Sequence, residues 1–152
     1  MDLLVPLLAL IHVGSAMLYI AGYASTKLMT RIAVQADSEA RKHLLELSGR
    51  FDFTFQIPFG TLVSLSGLAL TWANGYSFTT PWVLASIVLY AGVVFIGAGI
   101  WRRRSALVRD AIAADDDARV LRLLTEPMAR ALGWLELALI VAVVTLMVLR
   151  PS

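Results

Sequence analysis

Four apolar stretches, each about as long as a bilayer is thick, constrain this chain more than any other feature. They cover residues 3–23, 53–72, 82–101 and 131–149. At about 1.5 Å of helical rise per residue, each reaches roughly 30 Å, the hydrocarbon depth of a membrane. Mean hydropathy is +0.75 and 59% of residues are hydrophobic, well above the apolar share of soluble domains. The expected fold is all-α, a four-helix transmembrane bundle with two amphipathic cytoplasmic loop helices. With 152 residues, about half of them in spans, it is read as a single membrane domain with no separate soluble part.

The charge is gathered in two of the connections. Lys27, Arg31, Arg41, Lys42 and Arg50 separate the first two spans, and Arg102, Arg103, Arg104, Arg109, Arg119, Arg122 and Arg130 separate the last two. The segment 73–81 carries no charge, and Arg150 is the thirteenth basic residue. Basic residues are retained on the cytoplasmic side, so both long loops are expected there, with both termini outside the inner membrane. The first span is read as a retained helix, because only Met1 and Asp2 precede it and a cleavable signal starts with basic residues. Asp110, Asp115, Asp116, Asp117 and Glu126 interleave with the arginines of the second loop and weaken any nucleic-acid field, so the partner expected is the lipid bilayer. Other membrane proteins or a homo-oligomer are the further partners considered, and no nucleic acid. Cysteine is absent, which excludes disulfides and thiolate metal sites.

Local signals fill in the loops. Helix is expected to run on from the first span to residue 36, with Asp37 and Ser38 capping a short helix that Gly49 ends. In the second loop, helix should continue to about Ala113, break at Asp115–Asp117, and resume as an amphipathic piece carrying Val120, Leu121, Leu123 and Leu124. Thr125, Glu126 and Pro127 form a start signal for the last span. The two halves share a plan that fits a duplicated hairpin, although no residue identity links them. Gly60, Ser64, Gly67 and Thr71 make a small-residue face on the second span, suited to close helix packing. Trp72, Trp82, Trp101 and Trp134 fall at predicted boundaries, where interfacial aromatics belong.

Ionisable residues at membrane depth are the candidates for function. They are His12 and Glu136, with Asp52 at the inner boundary. Counting inward from the loop ends gives one polar layer of His12, Ser64 and Tyr90 near the midplane, and another of Tyr19, Gln56 and Glu136 nearer the cytoplasm. His12 and Glu136 then differ by roughly 9 Å in depth, too far to share a metal ion. Three readings of His12 stay open: a structural histidine bonded to Ser64 or Tyr90, a haem or metal ligand, and a proton relay. Glu136 is either a structural acid bonded to Tyr19 or Gln56, a side chain that snorkels to Arg130, or a proton- or cation-coupling site. Pro58 lacks an N–H and should disturb the second span, freeing the Thr54 carbonyl beside Gln56.

Several patterns together resemble a known family. They are Leu10-Ile11-His12-Val13-Gly14, the run from Arg50 to Gly60 with Asp52 and Pro58, Ser66-Gly67-Leu68-Ala69-Leu70, Gly133-Trp134, and the ending Leu146-Met147-Val148-Leu149-Arg150-Pro151. The chain resembles the bacterial integral membrane proteins called domain of unknown function 2269 over nearly its whole length. The resemblance implies a four-span inner-membrane protein without an assigned activity. More distantly, His12 resembles the first-span histidine of the copper-resistance D-type and membrane protoporphyrinogen oxidase families, whose further His and Lys positions are missing here. The leading expectation is a non-enzymatic interaction or accessory subunit with no cofactor. The alternatives are a membrane redox protein binding haem b or a metal through His12, and a small proton- or cation-coupled transporter built on Glu136.

Overall fold

A computed structural model describes residues 3–149. The described chain is helical without strands, and four of its helices are long and apolar enough to cross a membrane: Leu4–Gln35, Ser38–Ala73, Pro81–Ala113 and Pro127–Leu149. Arg150 and the Arg150-Pro151 end of the terminal motif lie outside the described residues, as do Met1 and Asp2. The chain divides into two compact units, Met1–Ser77 and Phe78–Ser152.

The first unit is a helical hairpin. Helix α1 (Leu4–Gln35) is followed by α2 (Ser38–Phe51), a π-helical segment (Asp52–Gln56) and α3 (Ile57–Ala73). The last three join into one helix, Ser38–Ala73. Contacts from Arg41 to Ala33, Gln56 to Thr26 and His12 to Ser66 run in opposite directions along the two arms, so the arms are antiparallel. The link between them is short because Ala36 is extended and Asp37 caps α2, accepting from the Ala40 N–H at 2.9 Å. Arg41 is buried here. Its Nε donates to the Ala33 carbonyl at 3.0 Å and its Nη2 to that of Ala36, satisfying acceptors that the end of α1 leaves open.

Gly49 does not end α2, contrary to expectation. Stopping a helix with glycine requires a left-handed residue, and among the described residues only Gly75 and Asp115 have positive φ. The helix instead runs on unbroken into the apolar stretch, which keeps its backbone groups paired as a spanning segment requires. The disturbance expected at Pro58 is a π-helical turn just before it. The Ile57 N–H bonds back five residues to the Asp52 carbonyl, a widening that relieves the pressure of the Pro58 ring on the preceding turn.

The two arms meet along small side chains. Ser15, Gly22, Thr26 and Ala33 are buried on α1, and Gly60, Val63 and Ser66 on α3. A Cβ at Gly22 would lie 2.8 Å from Cβ of Phe55, so the backbones approach there as only glycine allows. Of the small-residue face expected on the second span, Gly60 is buried. The hydroxyls of Ser64 and Thr71 turn back to the carbonyls of Gly60 and Gly67 in their own helix, at 2.9 and 3.0 Å. The unit closes with left-handed Gly75. The Gly75 N–H bonds to the Trp72 carbonyl and the Tyr76 N–H to that of Thr71, both at 3.0 Å.

The second unit begins with α4 (Pro81–Val94), a π-helical segment (Phe95–Trp101) and α5 (Arg102–Ala113), again one continuous helix. The break falls where the sequence placed it. Asp115 adopts φ +55°, the Asp116 N–H bonds to the Ala111 carbonyl at 3.0 Å, and the Asp115 N–H to that of Ile112 at 3.1 Å. This is the same left-handed termination as at Gly75, with aspartate in the glycine position. Helix α6 (Asp117–Thr125) buries Val120 and is capped by Asp116. Helix α7 (Pro127–Leu149) then starts at Pro127 as expected, but Thr125 does not cap it. The Thr125 hydroxyl donates back to the Leu121 carbonyl at 2.8 Å, and the backbone carbonyl of Glu126 accepts from Ala129 at 3.0 Å instead. Arg104 secures this elbow, donating to the Leu123 carbonyl at 2.6 Å and to the Glu126 carboxylate at 2.9 Å.

Helices α4 and α7 pack antiparallel. Gly92 lies against Leu139, where a Cβ would sit 3.4 Å from Cδ1, and Gly97 faces Glu136. Val83, Ser86, Val93 and Ile96 are buried on one arm, and Glu136, Ile140 and Val143 on the other. Each unit therefore carries one π segment at its basic-loop end, on the second arm in the first unit and on the first arm in the second.

Candidate functional site

His12 ties α1 to α3. Its Nδ1 lies 3.0 Å from the Val63 carbonyl oxygen and 3.1 Å from Ser66 Oγ. A carbonyl oxygen only accepts, so Nδ1 carries the proton of that bond, and in the neutral ring Nε2 keeps its lone pair. The Ser66 hydroxyl donates to the Leu62 carbonyl, which leaves its oxygen able to accept from the imidazole. Gly67 forms the seat of the ring, since a Cβ there would meet Cε1 at 3.0 Å. The partner is Ser66 rather than Ser64. Two residues amount to about 200° of helical turn, so a depth count finds the right level and leaves the side of the helix open. Tyr90 belongs to α4 of the other unit.

A second polar cluster sits at the π segment of the same unit. Gln56 Nε2 donates to Thr26 Oγ1 at 3.2 Å and to Asp52 Oδ1, one turn earlier on its own helix. Thr26 is buried and donates in turn to the Tyr23 carbonyl at 2.9 Å. The Lys27 ammonium lies 4.9 Å from the centre of the Tyr23 ring. Asp52 and Gln56 were visible in the sequence; Thr26 was not. Most hydroxyls in these helices bond within their own turn, as Thr61 and Thr145 do, so a threonine alone signals little. Its place with Ser15, Gly22 and Ala33 in a series of small residues at helical spacing is the signal the sequence held, and the structure buries all four.

The third cluster is in the second unit. Glu136, only 3% exposed, accepts from the Trp101 indole Nε1 at 2.9 Å through Oε2. Gly97 makes room for it, its absent Cβ lying 3.9 Å from Glu136 Oε1. Trp101 was expected as an interfacial anchor. Its N–H is instead turned onto the acid, whereas Trp72 and Trp134 remain largely exposed. Tyr19 and Gln56, the partners expected for Glu136, lie in the first unit, on α1 and its π segment. Among the described residues, no buried side-chain nitrogen or oxygen lacks a hydrogen-bond partner.

The sequence profile of the family described as predicted integral membrane protein, domain of unknown function 2269, matches residues 6–151. The chain belongs to this family. As an integral membrane protein it sits in a lipid bilayer, and four of its helices are long and apolar enough to cross it. No curated protein and no solved structure matches the chain significantly.

Proposed function

We propose that this member of the family is a non-enzymatic accessory or interaction subunit of the inner membrane. One observation supports the reading: three polar side chains at membrane depth each hold, as a clasp, a second helical segment of their own hairpin. His12 joins α1 to α3, Gln56 joins the π segment to α1, and Glu136 joins α7 to Trp101. Hydrogen bonds between helices contribute to holding them together, as a scaffold requires. Large apolar side chains such as Phe53, Leu65, Val88 and Phe95 stay exposed on those hairpins, available to lipid, to another membrane protein or to a second copy. The charge distribution supports cytoplasmic basic loops and external termini. Blue-native electrophoresis of the tagged protein, extracted from native membranes in mild detergent, tests the proposal. The expected result is a discrete species larger than one chain, with a stoichiometric membrane partner or a second copy. A monomer that recruits nothing under those conditions would count against it.

A second reading uses His12 as an axial ligand for haem b or a metal in a redox protein. The Nδ1 bond to the Val63 carbonyl supports it, because it presents the Nε2 lone pair away from the clasp. A Soret band in the purified protein, lost in His12→Gln, would favour this reading over the first.

A further inference from the structure

We infer that the face of the third spanning helix carrying Arg102, Arg103 and Arg109 binds the head group of an anionic glycerophospholipid. The three arginines that follow Trp101 have different tasks. Arg104 turns to the α6–α7 elbow and is held by Leu123 and Glu126. Arg102 and Arg103 point elsewhere, and with Arg109 they are exposed. These three residues line an open groove of about 390 Å³, and Ala98, Gly99 and Ala106 supply the rest of its wall. At about 100° per residue, positions 102, 103, 106 and 109 fall on one side of α5, and Arg104 on the other.

The groove's position selects the occupant. Arg102 is the first residue beyond the apolar stretch, so the guanidinium groups stand where hydrocarbon gives way to head groups. Guanidinium forks match phosphate oxygens in pairs, and small residues between them leave space for a bulky group to approach the helix. One turn deeper, the Phe95 ring lies beside Gly99, whose absent Cβ would be 3.9 Å from it, and Phe95 is 70% exposed. A cationic wall followed by an exposed apolar ring suits a phosphate carrying acyl chains better than a soluble anion. Asp110, one step beyond Arg109, does not line the groove. The inference rests on the membrane span and not on the accessory-subunit reading.

The test is native mass spectrometry of the full chain from nanodiscs of phosphatidylcholine, with or without phosphatidylglycerol. The wild type should retain phosphatidylglycerol in preference to phosphatidylcholine. Replacing Arg102, Arg103 and Arg109 together by Gln should weaken that retention on the order of a hundredfold. Replacing Arg31, Arg119 and Arg122 by Gln removes the same charge from exposed sites elsewhere and should leave retention unchanged. Ala98→Leu keeps every charge, narrows the groove, and should also weaken retention. Equal retention by the wild type and the groove triple, or equal loss in both triples, would overturn the site. So would displacement of the lipid by soluble glycerol phosphate at equal concentration.

Discussion

The Trp101 indole donates to Glu136 across 2.9 Å, joining the π-helical end of the third span to the buried acid of the fourth. Of the indole only the N–H is polar, so the bond turns a residue typical of membrane interfaces into a tie between helices. Trp101→Phe keeps the ring and removes the donor. It should lower stability in detergent by about 1–3 kcal/mol, the cost of depriving a buried polar group of a partner. Chemical denaturation followed by the remaining tryptophans measures it.

Two glycines separate packing from propensity. Gly22→Ala places a methyl 2.8 Å from Phe55 Cβ, an atom fixed to the backbone, and should destabilise by about 1–3 kcal/mol. Gly49→Ala meets nothing within 4 Å and lies inside a helix, so it should stabilise by up to about 1 kcal/mol. A loss of stability at Gly49 would mean that α2 ends there after all.

Asp115 occupies a left-handed position that glycine fills without steric cost. Asp115→Gly should raise stability by up to about 1 kcal/mol, with helix content by circular dichroism unchanged.

The proposed threading rests on the basic loops. Cysteines introduced at Ser38 and Asn74 should react from opposite sides of the membrane, Asn74 from outside intact cells. Labelling of Ser38 from outside would reverse the proposed orientation.

Helices and their breaks were legible in the sequence wherever a local signal decides them: the Asp37 cap, the Asp115 turn and the Pro127 start all lie where their residue types put them. Gly49 misled because a glycine is only permission to stop. The absence of a left-handed turn and the need to keep membrane backbone paired carried the helix through. The level of His12 was legible within its hairpin and its direction was not, while Gln56 bonds Thr26 rather than a residue level with Tyr19. Apolar periodicity is weak on helices that face lipid, so nothing in the pattern chose Ser66 over Ser64, or turned Trp101 towards Glu136. The structural arginines were hidden for another reason: Arg41 and Arg104 look like their topological neighbours until the carbonyls they cap are seen.

The most direct test of the clasp account compares Glu136→Gln with Glu136→Ala in unfolding measurements in one detergent. Glutamine keeps an oxygen that can accept from Trp101, so stability should stay within about 0.5 kcal/mol of the wild type. Alanine removes the acceptor from the half-buried Trp101 indole N–H and empties the space of a buried side chain, and should cost about 1–3 kcal/mol. Equal stability of all three proteins would show that Glu136 holds nothing together, and the account would fail.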